Sequence, residues 1–157
     1  MGFEFNKQHL IEICGKQYPV DISDPAFIEG VVSDFAAISD RYNAFLGLRA
    51  ELAAGGELTP ADVKVLSERL IAENTAIAEH GRVFIIKALG QAAYDTIFAG
   101  RKPTAADHIE LCAYVYREAI RSREEAVTAQ LNRRDRRAAQ RAAKGDYGMR
   151  ALLPFKH

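Results

Sequence analysis

Residues 24–46 read DPAFIEGVVSDFAAISDRYNAFL, and this stretch decides the fold class. Asp24, or Ser23 before it, can cap a helix, and Pro25 suits the first helical position because its missing N–H is not needed there. Ile28, Val31, Val32, Phe35, Ile38, Tyr42, Phe45 and Leu46 return at the three- and four-residue spacing of one helical face. Asp34, Asp40, Arg41 and Arg49 interrupt that face on the other side. The helix is expected to stop by Gly55-Gly56.

Toward the C-terminus the same grammar repeats. Thr59-Pro60-Ala61-Asp62 places a cap, a proline at the first position and an acid three residues after the cap. Val63, Leu66, Leu70 and Ile77 form the stripe of the second helix. A break is expected near Gly81, followed by a third helix over 82–98 that is buried on most faces, since Val83-Phe84-Ile85-Ile86 is apolar all round. Gly90 costs that helix about 1 kcal/mol relative to alanine. Gly100 fits the left-handed position after a helix end, and Pro103 blocks continuation. Thr104-Ala105-Ala106-Asp107 then opens a fourth helix with Ile109, Cys112, Tyr116, Ala119 and Ile120 on its apolar face.

Toward the N-terminus the period changes to two. His9-Leu10-Ile11-Glu12-Ile13 and Tyr18-Pro19-Val20-Asp21-Ile22 flank a short connection, Cys14-Gly15-Lys16-Gln17, which predicts a β-hairpin. Pro19 lacks a donor and belongs on an edge. The expected fold is mainly α: an N-terminal β-hairpin, then a helical body of about four helices, the last one long and extended.

Composition agrees with one globular body. The chain has 157 residues, 48% hydrophobic and 27% charged, enough to bury a core. No apolar run reaches the roughly 20 residues that span a membrane. The opening Met1-Gly2-Phe3-Glu4 has no secretory character, and Asn6 breaks the myristoylation pattern. Two cysteines make no disulfide framework.

Basic and acidic residues balance at 21 each, but unevenly. Residues 1–131 hold 13 basic and 19 acidic side chains, a net of −6, and residues 132–157 hold 8 and 2, a net of +6. The chain is therefore read as a helical domain over 1–131 and a basic, Arg/Ala-rich extension over 132–157 that ends in an apolar tail. Arg133, Arg134, Arg136, Arg137, Arg141 and Lys144 stand against Asp135 alone between residues 132 and 144. With no apolar stripe, a helix there is solvated. One continuous helix over 104–144 would extend about 60 Å, and Gly145-Asp146-Tyr147-Gly148 is expected to end it. Leu152, Leu153 and Phe155 in the last segment, with Arg133, Arg134, Arg136 and Arg137, are the candidate partner contacts. Without aromatics among the arginines, base stacking has no platform, so a solvated or protein-contacting tail is favoured over a nucleic-acid arm.

Chemistry is sparse. His108 and Cys112 share a helical face with Glu110 between them, but zinc requires more ligands. His108 is read as a first-turn surface residue and Cys112 as core. Cys14 has no base tied to it. Gly-x-Ser-x-Gly, phosphate-loop and dinucleotide patterns are missing. No catalytic, cofactor or metal residue is assigned, and the chain is expected to be a non-enzyme without cofactor.

Phe3-Glu4-Phe5-Asn6 and Tyr18-Pro19-Val20-Asp21-Ile22 before a helical body, and then Ile97-Phe98-Ala99-Gly100-Arg101-Lys102-Pro103-Thr104-Ala105-Ala106-Asp107 leading into a long last helix, resemble the tail assembly chaperones of siphophages and related prophages of Gram-positive hosts. The resemblance covers about residues 3–130, and Phe98, Gly100, Arg101, Lys102 and Pro103 carry its most distinctive motif. The extension after it departs from that pattern. The resemblance implies a chaperone that binds and solubilises the tape measure protein during tail morphogenesis. It would act in the cytoplasm of the bacterial host and be missing from the mature virion, with self-association and with tail tube subunits as further contacts. The alternative is a small nucleic-acid-associated phage protein acting through its Arg-rich tail.

Overall fold

The computed structural model describes the backbone of residues 9–152 and the side chains of residues 9–144. The order of elements is β1 (His9–Ile13), β2 (Lys16–Val20), α1 (Pro25–Ala54), α2 (Pro60–Leu89), α3 (Gln91–Ile97) and α4 (Ala105–Leu152). The fold is therefore mainly α with an N-terminal antiparallel hairpin. Two compact units divide it, residues 1–120 and 121–157. Among the described residues no helix is long and apolar enough to cross a membrane.

The hairpin turns on two residues, Cys14 (φ 51°) and Gly15 (φ 77°). Positive φ at both central positions matches the right-handed twist of the strands. The tight turn starts the second strand at Lys16, earlier than the Tyr18 read from sequence. Ile11 faces Tyr18, and Leu10 faces Pro19. Ile11, Ile13 and Val20 point inward and are buried, while Leu10 on the opposite face is exposed. The alternation of side chains along a strand produces that split.

Helix α1 starts where the proline and cap place it: Asp24 accepts from the Ala26 N–H at 3.0 Å. Helix α2 opens with a complete capping box, the Asp62 N–H donating to Thr59 Oγ1 at 3.2 Å and the Thr59 N–H to Asp62 Oδ2 at 3.0 Å. The two helices run antiparallel, as their cross-links show: Lys87 pairs with Asp34 and Arg41 with Glu73. Such exposed pairs fix register more than they add stability.

The expected break near Gly81 is not there. Helix α2 passes through Gly81 and ends at Leu89, and Gly90, at φ 98°, makes the corner into the seven-residue α3. The two glycines serve different needs. Gly81 is buried, and a Cβ on it would come within 2.6 Å of the His108 Cβ, so its bareness lets α4 approach α2. Gly90 supplies backbone freedom instead, its N–H closing on the Ile86 carbonyl at 2.8 Å. The expected single helix over 82–98 is thus the end of α2 plus α3. Gly145 and Gly148 also fail to stop the last helix, which is helical to Leu152. A glycine costs a helix about 1 kcal/mol, and the good helix formers ahead of them carry the helix across.

The core of the first unit gathers the hairpin, α1, α2 and the first turns of α4. Ile11, Ile28, Ile38, Phe84, Ile85, Cys112 and Val115 are buried together. Phe35 stacks on Tyr116 with centroids 4.5 Å apart. The Tyr114 hydroxyl donates to the Glu12 carbonyl at 2.6 Å, which ties β1 to α4 across 102 residues of sequence.

Candidate functional site

Three places on the molecule bring functional side chains together. The first is the turn from α3 into α4. Gly100 (φ 71°) reverses the chain, and a second capping box follows: the Asp107 N–H donates to Thr104 Oγ1 at 3.1 Å and the Thr104 N–H to Asp107 Oδ2 at 2.9 Å. Arg101 donates to the other oxygen of Asp107 at 2.6 Å. The Thr104 backbone N–H holds the Asp107 carboxyl below its ordinary range, with the Thr104 hydroxyl and Arg101 adding to the effect. Of the motif residues, Phe98 packs inward and Arg101 braces the cap. Lys102 is exposed and Pro103 half-buried.

His108 is not the surface residue expected from sequence. It is 3% exposed, with Tyr94 and Phe98 of the preceding segment against its ring. Its Nδ1 lies 2.7 Å from the Thr104 carbonyl and its Nε2 2.8 Å from the Tyr94 hydroxyl. A carbonyl only accepts, so Nδ1 donates to it; in the tautomer with its hydrogen on Nδ1, Nε2 accepts from the Tyr94 hydroxyl. The correction follows from the corner at Gly90, which folds Tyr94 and Phe98 back over the start of α4. Cys112, one turn on, is fully buried as expected. Burial pushes its thiol up to about 12, so it stays protonated at neutral pH. Among the described residues no group of three or more His, Cys, Asp or Glu side chains could hold a metal ion.

The second place is a groove along α1 and α2. A cavity of about 40 Å³ opens between Phe27, Gly30, Val31 and Phe84. That size admits the tip of one apolar side chain, well below the few hundred Å³ of a small-molecule pocket. A wider groove adjoins it, lined by Ala37, Ile38, His80, Val83 and Phe84, with Asp34 and Lys87 shared between the two. The floor is apolar and the rim is charged. Val83 is 51% exposed there. None of these residues was singled out from sequence as a contact. The signal was the run Val83–Ile86, four apolar residues in a row, more than one buried face can absorb: Phe84 and Ile85 go to the core and Val83 stays outside.

The third place lies in the second unit. Arg133, Arg134, Arg137 and Arg141 line one side of α4 together with Ala126 and Gln130. Three of the four arginines proposed from sequence thus share a face. Arg136 is exposed but does not line that side. Leu152 ends α4, its side chain outside the described residues, and Leu153 and Phe155 lie outside the described residues altogether.

Among family models, curated proteins and solved structures, nothing matches this chain.

Proposed function

We propose that this chain is a non-enzymatic phage tail assembly chaperone that holds helices of the tape measure protein until tail tube subunits polymerise around them. On this reading it works in the cytoplasm of the bacterial host and leaves before the virion is complete. The observation that carries the reading is the groove between α1 and α2. Its floor of Phe27, Val31, Ile38 and Phe84 is apolar, its rim pairs Asp34 with Lys87, and Val83 stands half-exposed beside them. An amphipathic helix laid in such a groove buries its apolar stripe and leaves its charged side at the rim. A tape measure helix before assembly is a segment of that kind. The Phe98–Asp107 segment, the sequence basis of the resemblance, acts here as a brace: Arg101 and Thr104 fix Asp107, and Phe98 covers His108.

The test is co-expression with overlapping fragments of the tape measure protein encoded nearby, followed by size-exclusion chromatography with light scattering. Fragments that are insoluble alone should elute in a defined complex with this chain. A set of fragments covering the whole tape measure, none of them captured or solubilised, would overturn the reading.

A further inference from the structure

The arginine run that the chaperone reading leaves unused lies in a unit of its own, residues 121–157. Arg133, Arg134, Arg137 and Arg141 line one side of α4. Arg123 stands 18 residues before Arg141, five full turns, and Lys144 stands seven after Arg137, about two turns, so both join that side. At about 100° per residue the six cations fall within an arc of about 100°. Glu124, Glu125 and Asp135, the acids between 123 and 144, fall in the opposite half of the helix. All of these side chains are exposed. Among the described residues no carboxylate pairs with any of the six cations. Arg133 gives its Nε–H to the Ala129 carbonyl at 3.3 Å, which leaves its terminal nitrogens to other acceptors. The result is a stripe of one sign of charge about 30 Å long, at 1.5 Å per residue.

A row of like charges of that length fits a partner that carries an equally regular row of the other sign. Duplex DNA carries one negative charge per about 1.7 Å of its axis. Its major groove, about 12 Å wide, admits an α-helix. Alanines at 126, 129, 138, 139, 142 and 143 keep this helix slim. The missing aromatics bear on single strands, whose bases need a platform. In a duplex the bases stack on one another and the phosphates face outward. A lipid surface fits less well. A helix lying on a membrane needs a broad, bulky apolar face opposite its charges, and between 123 and 144 only Val127 and Leu131 are bulky and apolar.

We propose that residues 123–144 bind double-stranded DNA through its phosphates, without reading its sequence. This is a second activity, carried by a different unit from the α1–α2 groove. It needs no tape measure partner, so its failure leaves the chaperone reading standing, and the converse.

Fluorescence anisotropy of the full-length chain on a random-sequence duplex of about 20 base pairs tests it, the stripe covering about nine pairs at 3.4 Å each. Six phosphate contacts give an expected slope of log affinity against log salt near −5, a loss of about a thousandfold between about 0.05 and 0.2 M salt. Arg133→Gln/Arg137→Gln/Arg141→Gln removes three contacts and should bring the slope to about −3. Circular dichroism should show unchanged helicity, since glutamine is a good helix former. Arg136→Gln removes the same charge without lining the stripe and should leave the slope where it was. Duplexes of unrelated sequence should bind within about twofold of one another, because phosphate contacts carry no sequence information. A wild-type slope shallower than about −2, or a triple variant with the wild-type slope, would overturn the proposal. Equal competition by polyglutamate would give the stripe to an acidic protein instead, and equal affinity for phosphatidylserine vesicles would give it to a lipid surface. Either result also overturns it.

Discussion

Gly81 and His108 meet at the crossing of α2 and α4, where a Cβ on the glycine would lie 2.6 Å from the Cβ of the histidine. Neither atom sits at the end of a flexible chain, so neither can give way without moving a helix. Gly81→Ala should therefore destabilise the protein. Overpacking costs about 1–3 kcal/mol and the better helix propensity of alanine returns up to about 1, leaving a net loss of up to about 2 kcal/mol in urea unfolding. Gly47 is the control. It is also in a helix, has nothing within 4 Å of its would-be Cβ, and Gly47→Ala should stabilise by about 0.5–1 kcal/mol. Equal effects at the two positions would mean that α4 does not approach α2 at Gly81.

The hydrogen bond from Tyr94 to His108 makes the next case. Tyr94→Phe keeps the ring against Phe98 and removes the one donor to Nε2. A buried acceptor left without its partner costs about 1–3 kcal/mol. The midpoint of urea unfolding should fall accordingly, with an unchanged slope. A variant as stable as the wild type would show that water already reaches that nitrogen.

Acid should undo the cap at the start of α4. The folded state lowers the Asp107 carboxyl from 3.8, first through the Thr104 N–H. A carboxylate depressed by folding adds stability at pH values above its unfolded pKa, and that contribution is lost as pH falls through the folded value. Asp107→Asn should accordingly lower the melting temperature at pH 7. The gap to wild type should narrow below about pH 4, where the unfolded carboxyl protonates. A gap of constant size down to pH 2 would assign the effect to packing.

The two thiols should separate cleanly. Cys14 is exposed in the hairpin turn, while Cys112 is buried with its thiol pushed up to about 12. Attack on a disulfide reagent needs an accessible thiolate. One equivalent, Cys14, should react with such a reagent at pH 8, and the second only in denaturant. Cys14→Ser should abolish the fast phase. Two fast equivalents in the wild type would mean that the 109–119 face of α4 opens readily.

What sequence could and could not supply follows from the range of each signal. The hairpin, both Thr-x-x-Asp caps and the start of α1 depend on residues within a few positions of one another, and all of these are legible. Gly81 and Gly90 are not, because a glycine that permits a close approach and a glycine that permits a turn look alike until the partner is known. Gly81 is read by His108, 27 residues away. His108 itself was misplaced for the same reason: its burial depends on a seven-residue helix that folds Tyr94 back over it. The groove escaped because its two walls lie on different helices, and only the excess of apolar residues at Val83–Ile86 hinted at it.

Val83 offers the most economical separation of stability from binding. Its side chain is half-exposed over the groove and its neighbours Phe84 and Ile85 hold the core. A surface substitution away from the core usually changes stability by less than about 0.5 kcal/mol. Val83→Asp should therefore unfold at nearly the wild-type urea concentration. It also places a carboxylate on the floor that a partner helix would cover, and a charge buried without a partner is costly. Fragments of the tape measure captured by the wild type should then be lost, a drop of at least about tenfold in complex yield at equal expression. Retention of the complex by Val83→Asp, with Phe84→Ala failing only through instability, would move the contact away from the α1–α2 groove.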